Sequence, residues 1–274
     1  MLSRSIAVLT SVALILVVAS TADVAADDAV VHISGTRLGL AAMERVADGL
    51  KSVAPSVSVN VLPSRGTSGG IRALQQREID LVVASRPLTA QERAGGVTEA
   101  ICYKTPLAFV SSRPAPPSIS KIDLPGIFTS SSPTWPDGIP LRPLLRPRAN
   151  WEMDILVAAV PALGPALEAA YKSGSIPVPD TDQENAFAAL RTAGSLTAMT
   201  LLQLRAEQRR LRTVALDGVQ PTLANVAHGT YPLALKLCLV TREPPSGELV
   251  KFLAYLTSAS GEALMNRLGA AKAD

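Results

Sequence analysis

The chain has few aromatic residues, cysteines, histidines and charged residues. Of its 274 residues, 4% are aromatic and 18% are charged, and there are two cysteines and two histidines. Two cysteines exclude both a disulfide-scaffold protein and a four-thiolate zinc site. The sequence has no glycine repeat and no heptad pattern, which excludes collagen-like and coiled-coil proteins, and its 47% hydrophobic content excludes an intrinsically disordered chain. The net charge of +3 is too dilute to indicate nucleic acid binding.

The amino terminus has the layout of a secretory signal peptide. Arg4 precedes an apolar run of about 14 residues, Ile6 to Ala19, and small residues follow up to Ala26. This run is short for a membrane span of roughly 20 residues. An uncleaved membrane anchor is the alternative, but no basic stop-transfer cluster follows. We therefore expect residues 1–26 to be removed and the mature chain to lie in the periplasm.

Export permits a disulfide between Cys102 and Cys238, which both lie in apolar, strand-like segments. Two separate buried thiols are the alternative. We expect the separate thiols, because the sequence gives no Cα separation for the pair.

Apolar strands alternate with helical periodicity after the leader. Strands are predicted at Val30–Ile33, Val57–Val61 and Ile79–Ala84, and apolar residues recur at helical spacing from Leu40 to Val53. This order indicates an α/β protein with parallel βαβ units. The segment Pro63–Gly70 is expected to be a loop, with a short helix beginning after it at Ile71.

A stretch rich in proline and serine, Ser111–Pro147, separates this region from a second α/β region and predicts a crossing between lobes. In the second region, Thr181 and Glu184 form a capping-box pattern that predicts the start of a helix. A further apolar strand follows from Leu233 to Val240, and two helices end the chain.

The loop Gly66–Gly70 permits two interpretations. Its sequence fits the G-x-S-x-G nucleophile elbow of a serine hydrolase, with Ser68 as the nucleophile. Asp180, Asp217 and His228 follow in the Ser, Asp, His order that such hydrolases use. Three residues separate the loop from its strand, however, and an elbow turns directly from strand to helix. The loop fits better as an anion cradle, in which backbone amides and hydroxyls at a helix N-terminus meet the ligand and Arg65 and Arg72 add positive potential. An ordinary βα turn is the simplest alternative.

Two further segments are expected at the same sheet edge. Ser34–Arg37 follows the first strand, and Ser85-Arg86 follows the third. The carboxyl ends of adjacent parallel strands meet in one crevice, so these side chains are expected to converge on an anion.

A basic cluster, Arg142, Arg146 and Arg148, follows later and is either part of the site or a solvated edge. The histidines and cysteines show no metal-ligand spacing, so no metal and no cofactor are expected.

Several segments together resemble periplasmic phosphate-binding proteins, the solute-binding components of phosphate ABC transporters. They are Val31-His-Ile-Ser-Gly-Thr-Arg-Leu, Ser64-Arg-Gly-Thr-Ser-Gly-Gly-Ile, Ile79-Asp-Leu-Val-Val-Ala-Ser-Arg-Pro, Gly229-Thr-Tyr-Pro-Leu and Leu239-Val-Thr-Arg-Glu-Pro-Pro-Ser. The resemblance covers nearly the whole mature chain in order.

The resemblance implies a two-lobed, type II periplasmic-binding fold in the α/β class. Each lobe would be a mostly parallel sheet flanked by helices, with two hinge crossings of the chain. Residues 27–108 and 229–274 would form lobe I, and residues 109–228 would form lobe II.

Carried over position by position, the resemblance implies a ligand site between the lobes and no catalytic residue. The implied ligand-binding residues are Thr36, Arg37, Thr67, Ser68, Ser85, Arg86 and Arg146. One segment departs from the family pattern, because the Ser-Gly-Thr that usually follows the last arginine is replaced by Arg148-Ala-Asn-Trp-Glu152.

The expected function is capture of an oxyanion, phosphate first, by an exported monomer that delivers it to a membrane ABC permease. A divergent binding module that serves as a sensor or interaction domain is the main alternative. A secreted serine hydrolase using Ser68 is a remote one.

Overall fold

The computed structural model describes residues 30–148 and 151–273. The signal peptide predicted for residues 1–26 lies outside the described residues. Within them, no helix has both the length and the apolar character needed to cross a membrane.

Strands and helices alternate along the chain. The first part comprises β1 (Val30–Gly35), α1 (Arg37–Lys51), β2 (Ser58–Val61), α2 (Gly66–Gln75), β3 (Leu81–Ala84), α3 (Ala90–Ala94) and β4 (Val97–Ser111). The middle part comprises α4 (Leu124–Thr129), β5 (Arg142–Pro143), α5 (Trp151–Ala159), α6 (Leu163–Ser173), α7 (Asp182–Arg191), β6 (Ser195–Thr200), α8 (Leu201–Ala206), β7 (Arg212–Val214) and α9 (Leu223–Ala227). The last part comprises β8 (Ala234–Arg242), α10 (Gly247–Thr257), α11 (Ala259–Leu268) and β9 (Ala271–Lys272).

The first lobe is built on the strand order β2-β1-β3-β8-β4. Strand β1 runs parallel to both β2 and β3, as the βαβ pattern predicts. Helix α1 buries Leu40, Met43, Val46 and Leu50 against this sheet, at the three- and four-residue spacing of an apolar helix face. Helices α10 and α11 from the end of the chain complete the same core.

The second lobe has its own core around Trp135, Leu163, Leu196 and Leu216. Its strand β6 pairs in parallel with β5 and antiparallel with β4. The predicted two-lobed α/β fold is confirmed, and the sheets are mixed, because β8 also runs antiparallel to both of its neighbours, β3 and β4.

Strand β4 belongs to both lobes. Val97 to Pro106 pair with β8, whereas Leu107 to Val110 pair with β6. The partner exchange between Pro106 and Leu107 is one crossing of the chain. The entry into β8 at Leu233, whose carbonyl accepts from the Leu107 amide at 3.0 Å, is the return. The lobe boundaries at 108/109 and 228/229 remain a prediction.

Two local interpretations from the sequence are corrected. Helix α2 begins at Gly66 and not at Ile71, so the glycine-rich segment is the first turn of the helix. The crossing predicted within Ser111–Pro147 lies earlier, between Pro106 and Leu107, where β4 changes its partner strand. Helix α8, from the middle of the chain, packs onto the first core through Leu202 and Ala206. The capping box predicted at Thr181 and Glu184 is present, with both reciprocal hydrogen bonds.

Cys102 and Cys238 form a disulfide that joins β4 to β8. The two residues are directly opposite each other in the antiparallel register, with their Cα atoms 4.1 Å apart. The expectation of two separate thiols is therefore wrong. The sequence could not reveal this pairing, because 136 residues separate the cysteines and only the pairing of β4 with β8 brings them together.

Reducing this disulfide is expected to lower the free energy of unfolding by about 2–4 kcal/mol, because the cross-link restricts the unfolded chain across a long loop. Urea unfolding with and without reductant measures the loss. A Cys102→Ala/Cys238→Ala variant is the control and should not respond to reductant. An unchanged midpoint in the wild type, with both thiols shown to be free, contradicts the prediction.

The end of β1 depends on a glycine. Gly35 has φ +132°, and a Cβ there would lie 2.2 Å from the Val83 carbonyl oxygen of β3. A side chain at this position would separate β1 from β3 and move the loop that follows.

Gly35→Ala is expected to cost about 2–4 kcal/mol of stability, from overpacking and backbone strain together. Gly126→Ala in α4 is the matched control, since a Cβ there meets nothing within 4 Å. That control should be neutral or slightly stabilising, because alanine favours a helix. Thermal unfolding of both variants compares them, and equal midpoints would contradict the argument.

Candidate functional site

The first component of the site is the turn from β1 into α1. Thr36 is the residue before α1 and is buried, and its backbone amide donates to the Val83 carbonyl at 2.8 Å. Its hydroxyl makes no capping bond to the helix that it precedes. Within the described residues, this hydroxyl and the first amides of α1 remain available for another acceptor.

The second component is the first turn of α2. The Ser64 hydroxyl donates to the Gly35 carbonyl at 2.7 Å and accepts from the Gly66 amide at 3.2 Å, which ties this turn to the end of β1. Gly66 has φ +65°, a conformation that favours glycine. Neither α1 nor α2 carries an acidic residue in its first turn, so no carboxylate there offsets the positive ends of the two helix dipoles.

The third component is the end of β3. The Thr67 hydroxyl oxygen accepts from the Ser85 amide at 3.0 Å and lies 3.3 Å from the Ser85 hydroxyl. Arg86 Nη2 donates to the Ser68 hydroxyl at 2.8 Å. Three segments that are separate in sequence thus present their hydroxyls side by side, as the strand-end argument predicts.

A carboxylate holds Arg86 in place. The guanidinium forms a two-point ion pair with Glu92, with N–O distances of 2.9 and 2.7 Å. The hydrogen bonds from Arg86 are the main cause that lowers the pKa of Glu92 to about 2, and the same bonds raise the pKa of Arg86. Glu92 also completes the capping box of α3 with Thr89, so its position is fixed from two sides.

A cavity of about 450 Å³ lies in front of these groups and between the two lobes. The first lobe contributes Thr36, Leu38, Arg65, Gly66, Thr67, Ser68, Gly69, Arg72, Ser85 and Arg86 to its wall. The second lobe contributes Trp151, Glu152 and Asp182.

The wall from the second lobe is acidic. Behind it lies Arg146, whose side chain is 3% exposed and whose Nη2 pairs with Glu152 Oε1 at 3.1 Å and with Asp182. Among the described residues, its Nε and Nη1 have no hydrogen-bond partner. Burial raises the pKa of Glu152, and this effect outweighs the attraction of Arg146.

Of the seven residues predicted from the sequence, five line the cavity, namely Thr36, Thr67, Ser68, Ser85 and Arg86. Arg146 is covered by the two carboxylates. Arg37 lies outside the cavity, where its Nη1 donates to Gln183 Oε1 of α7 at 3.4 Å. Asn150, which replaces a family donor, lies outside the described residues.

Sequence reasoning missed Asp182 as a wall residue. The capping box placed Asp182 in the first turn of α7, but only the tertiary structure brings that turn to the cavity, where Arg37 Nη1 of the first lobe donates to Gln183 Oε1 of α7. Trp151 and Glu152 were identified only as departures from the family pattern, and both line the cavity.

Ser68 lacks the surroundings of an activated nucleophile. Its hydroxyl accepts from Arg86, whereas activation requires donation to a base. His228 follows α9, and His32 lies beside Asp80 at 3.8 Å; neither residue lines the cavity. Asp217 is bound by Ser120 and Lys121.

One group with metal-ligand spacing occurs among the described residues, formed by Glu99, Cys102 and Cys238. The two sulfurs of that group are bonded to each other, so the thiolates that a metal would need are absent from it.

Comparison with known proteins places this cavity in a familiar fold. A 93-residue segment is 28% identical to the phosphate-binding protein PstS 2 of Streptococcus pneumoniae, and the match spans about a third of each chain, 34% of this one and 32% of the relative. Among solved structures, a Clostridium perfringens protein described as a phosphate ABC transporter substrate-binding protein with bound phosphate shares the fold. Its TM-score is 0.72 at 19% identity, covering 90% of this chain and 100% of that one.

A regulatory domain of another protein also shares this fold. The regulatory domain of MetR, a LysR family regulator from N. meningitidis, matches with a TM-score of 0.51 at 11% identity, covering 89% of this chain and 99% of that one.

A family model described as a PBP superfamily domain matches residues 20–260, most of the chain. This match and the two-lobed fold agree with the resemblance stated from the sequence. The chain belongs to the PBP superfamily.

Proposed function

We propose that this protein is a solute-binding protein that captures an oxyanion, phosphate first, between its two lobes and carries out no chemistry. The observation that carries the proposal is the convergence of two helix N-termini and four hydroxyl side chains on one cavity wall that contains no carboxylate. Backbone amides and hydroxyls arranged in this way bind tetrahedral oxyanions without a metal.

Each group on this wall would have a distinct part in binding. The Thr36 and Thr67 side chains, both buried, would donate to ligand oxygens, and the first amides of α1 and α2 would add positive potential. Arg72 is a charged wall residue that forms no ion pair within residues 30–148 and 151–273. It would therefore neutralise a ligand more fully than Arg65 or Arg86, which are paired with Glu78 and Glu92.

The two crossings of the chain supply a hinge. Rotation at Pro106–Leu107 and at Leu233–Ala234 would bring the walls together and bury the ligand. Selectivity would then come from desolvated polar groups, which penalise a ligand that leaves any of them unpaired.

The relatives support the finer parts of the proposal. The Clostridium perfringens structure contains phosphate, and the pneumococcal relative is described as a phosphate-binding protein. By analogy, this chain would be exported to the periplasm, where it would act as a monomer and deliver its ligand to a membrane ABC permease.

A sensor input is the second candidate function. The fold match to a regulatory domain favours it, together with the loss of the Ser-Gly-Thr segment in the second lobe. Both functions require the same ligand site, and they differ in the partner that recognises the closed form.

Thr36→Val is expected to weaken binding of inorganic phosphate by about 10- to 100-fold, because a buried hydrogen bond to a charged ligand contributes roughly 1.5–3 kcal/mol. Isothermal calorimetry on extensively dialysed protein measures the affinity. Thr257→Val, at the exposed end of α10, is the control and should bind as the wild type does. If the wild type bound neither inorganic phosphate nor any other phosphoryl compound, the proposed function would be contradicted.

Glu92→Gln is expected to lower the stability by about 1–2 kcal/mol at pH 7, after allowance for water that screens part of the ion pair. The pKa of Glu92 is about 2 in the folded protein against an ordinary 4.5. The stabilisation is therefore complete above pH 4.5 and is lost as the pH falls through 2.

Urea unfolding of wild type and variant from pH 7 to pH 3 tests this. The difference between them should shrink towards low pH, while Glu44→Gln, an exposed position on α1, should show almost no difference at any pH. A difference that is constant with pH would refute the role of the ion pair.

A further inference from the structure

The two walls of the cavity carry opposite charge. The first lobe presents hydroxyls, helix N-termini and the guanidinium groups of Arg65, Arg72 and Arg86, while the second lobe presents Glu152 and Asp182. An inorganic oxyanion held by the first wall would face acceptors and negative charge on its other side. This arrangement is unfavourable for a ligand that is anionic all round.

The acidic wall has two carboxyl groups and a single guanidinium group to balance them. The Arg146 guanidinium is shared by two carboxylates through the same nitrogen, Nη2. When both carboxylates carry their charge, one cation faces two anions and the group has a net charge of −1. Glu152 and Asp182 line the cavity and Arg146 does not, so a negative charge on this group is nearer to the cavity than the guanidinium that partly balances it.

Burial is the main cause that raises the pKa of Glu152, and repulsion from Asp182 adds to it, while Arg146 acts in the opposite direction. A cation supplied by the ligand would correct the imbalance and favour the ionised form of Glu152. Asp182 is the more accessible of the two, with 13% of its side chain exposed against 5% for Glu152.

An aromatic residue lines the same cavity as these carboxylates. Trp151 is 42% exposed and lines the same cavity, immediately before Glu152 at the start of α5. A cavity that offers both an indole ring and carboxylates suits an organic ammonium group, which is attracted by the ring and by the negative charge. The cavity volume of about 450 Å³ is within the range of sites that hold small organic ligands.

We infer that the preferred ligand is a zwitterion, a phosphate ester or phosphonate that carries an ammonium group on a short carbon linker. Its phosphoryl group would bind at Thr36, Thr67 and the N-terminus of α2, and its ammonium group at Trp151, Glu152 and Asp182. This inference rests on the proposed function, because it adds a second subsite to the same oxyanion site.

The test compares two ligands of nearly equal shape, phosphoethanolamine and propyl phosphate, in which a methyl group replaces the ammonium. Calorimetry with dialysed wild-type protein should show phosphoethanolamine binding about 10-fold more tightly than propyl phosphate or inorganic phosphate. Equal affinities for all three would overturn the zwitterion inference and leave the oxyanion site intact. No binding of any of them would overturn the proposed function as well.

Asp182→Asn is expected to change the affinities for phosphoethanolamine and for inorganic phosphate in different directions. Phosphoethanolamine should bind about 5- to 10-fold more weakly to the variant, whereas inorganic phosphate should bind equally well or more tightly, because repulsion is removed. Trp151→Leu should weaken binding of phosphoethanolamine alone, by about 3-fold or more.

Asp154→Asn, the same change on the outer side of α5, is the matched control and should leave every affinity unchanged. Circular dichroism and thermal unfolding of each variant establish that it is folded. Parallel weakening of all three ligands by Asp182→Asn would show a structural role for the carboxylate and would refute an ammonium subsite.

Discussion

The close approach of backbone between β1, β3 and α2 is the constraint on which the site depends. Gly35 lies against the Val83 carbonyl, and a Cβ at Gly70 of α2 would lie 3.2 Å from the Gly35 Cα. These contacts leave no room for side chains, and they set two helix N-termini next to the ends of two parallel strands. The hydroxyls of Thr67 and Ser85 lie 3.3 Å apart, and Thr36 lines the same cavity. A cavity wall of hydroxyls and helix N-termini is thus obtained from packing geometry.

Charged side chains add a second contribution to the one made by this backbone geometry. Arg65 and Arg86 on the first wall are paired with glutamates, so they position neighbouring groups as much as they attract anions. On the second wall the balance is reversed, since Arg146 is outnumbered by its partners. Burial makes this imbalance costly, because a charge removed from water needs a counter-charge close by. If the proposed zwitterion binds, its ammonium group supplies the missing charge, and the second lobe contributes to selectivity.

Much of this arrangement could be predicted from local sequence patterns. The helical spacing of α1, the capping box of α7 and the alternation of β1, α1, β2 and β3 are all local signals, and each was confirmed. Five of the seven predicted ligand residues line one cavity, because residues that follow parallel strands necessarily meet at one sheet edge. The start of α2 was misplaced, because Gly66-Thr67-Ser68-Gly69-Gly70 has low helix propensity, and tertiary packing overrides that preference.

The sequence by itself determined the fold class, the first wall of the site and its hydroxyl donors, because these follow from periodicity and from the order of strands and helices. Only the tertiary structure decided the Cys102–Cys238 pair, the position of Arg37 outside the cavity and the covering of Arg146 by Glu152 and Asp182. The physical reason is that each of these depends on a contact between elements distant in the chain. Pairing of β4 with β8 joins the cysteines, and the positions of α5 and α7 bring Glu152 and Asp182 together at Arg146 and at the cavity wall. Charge balance across a cleft is a property of such contacts, and no local pattern in the chain encodes it.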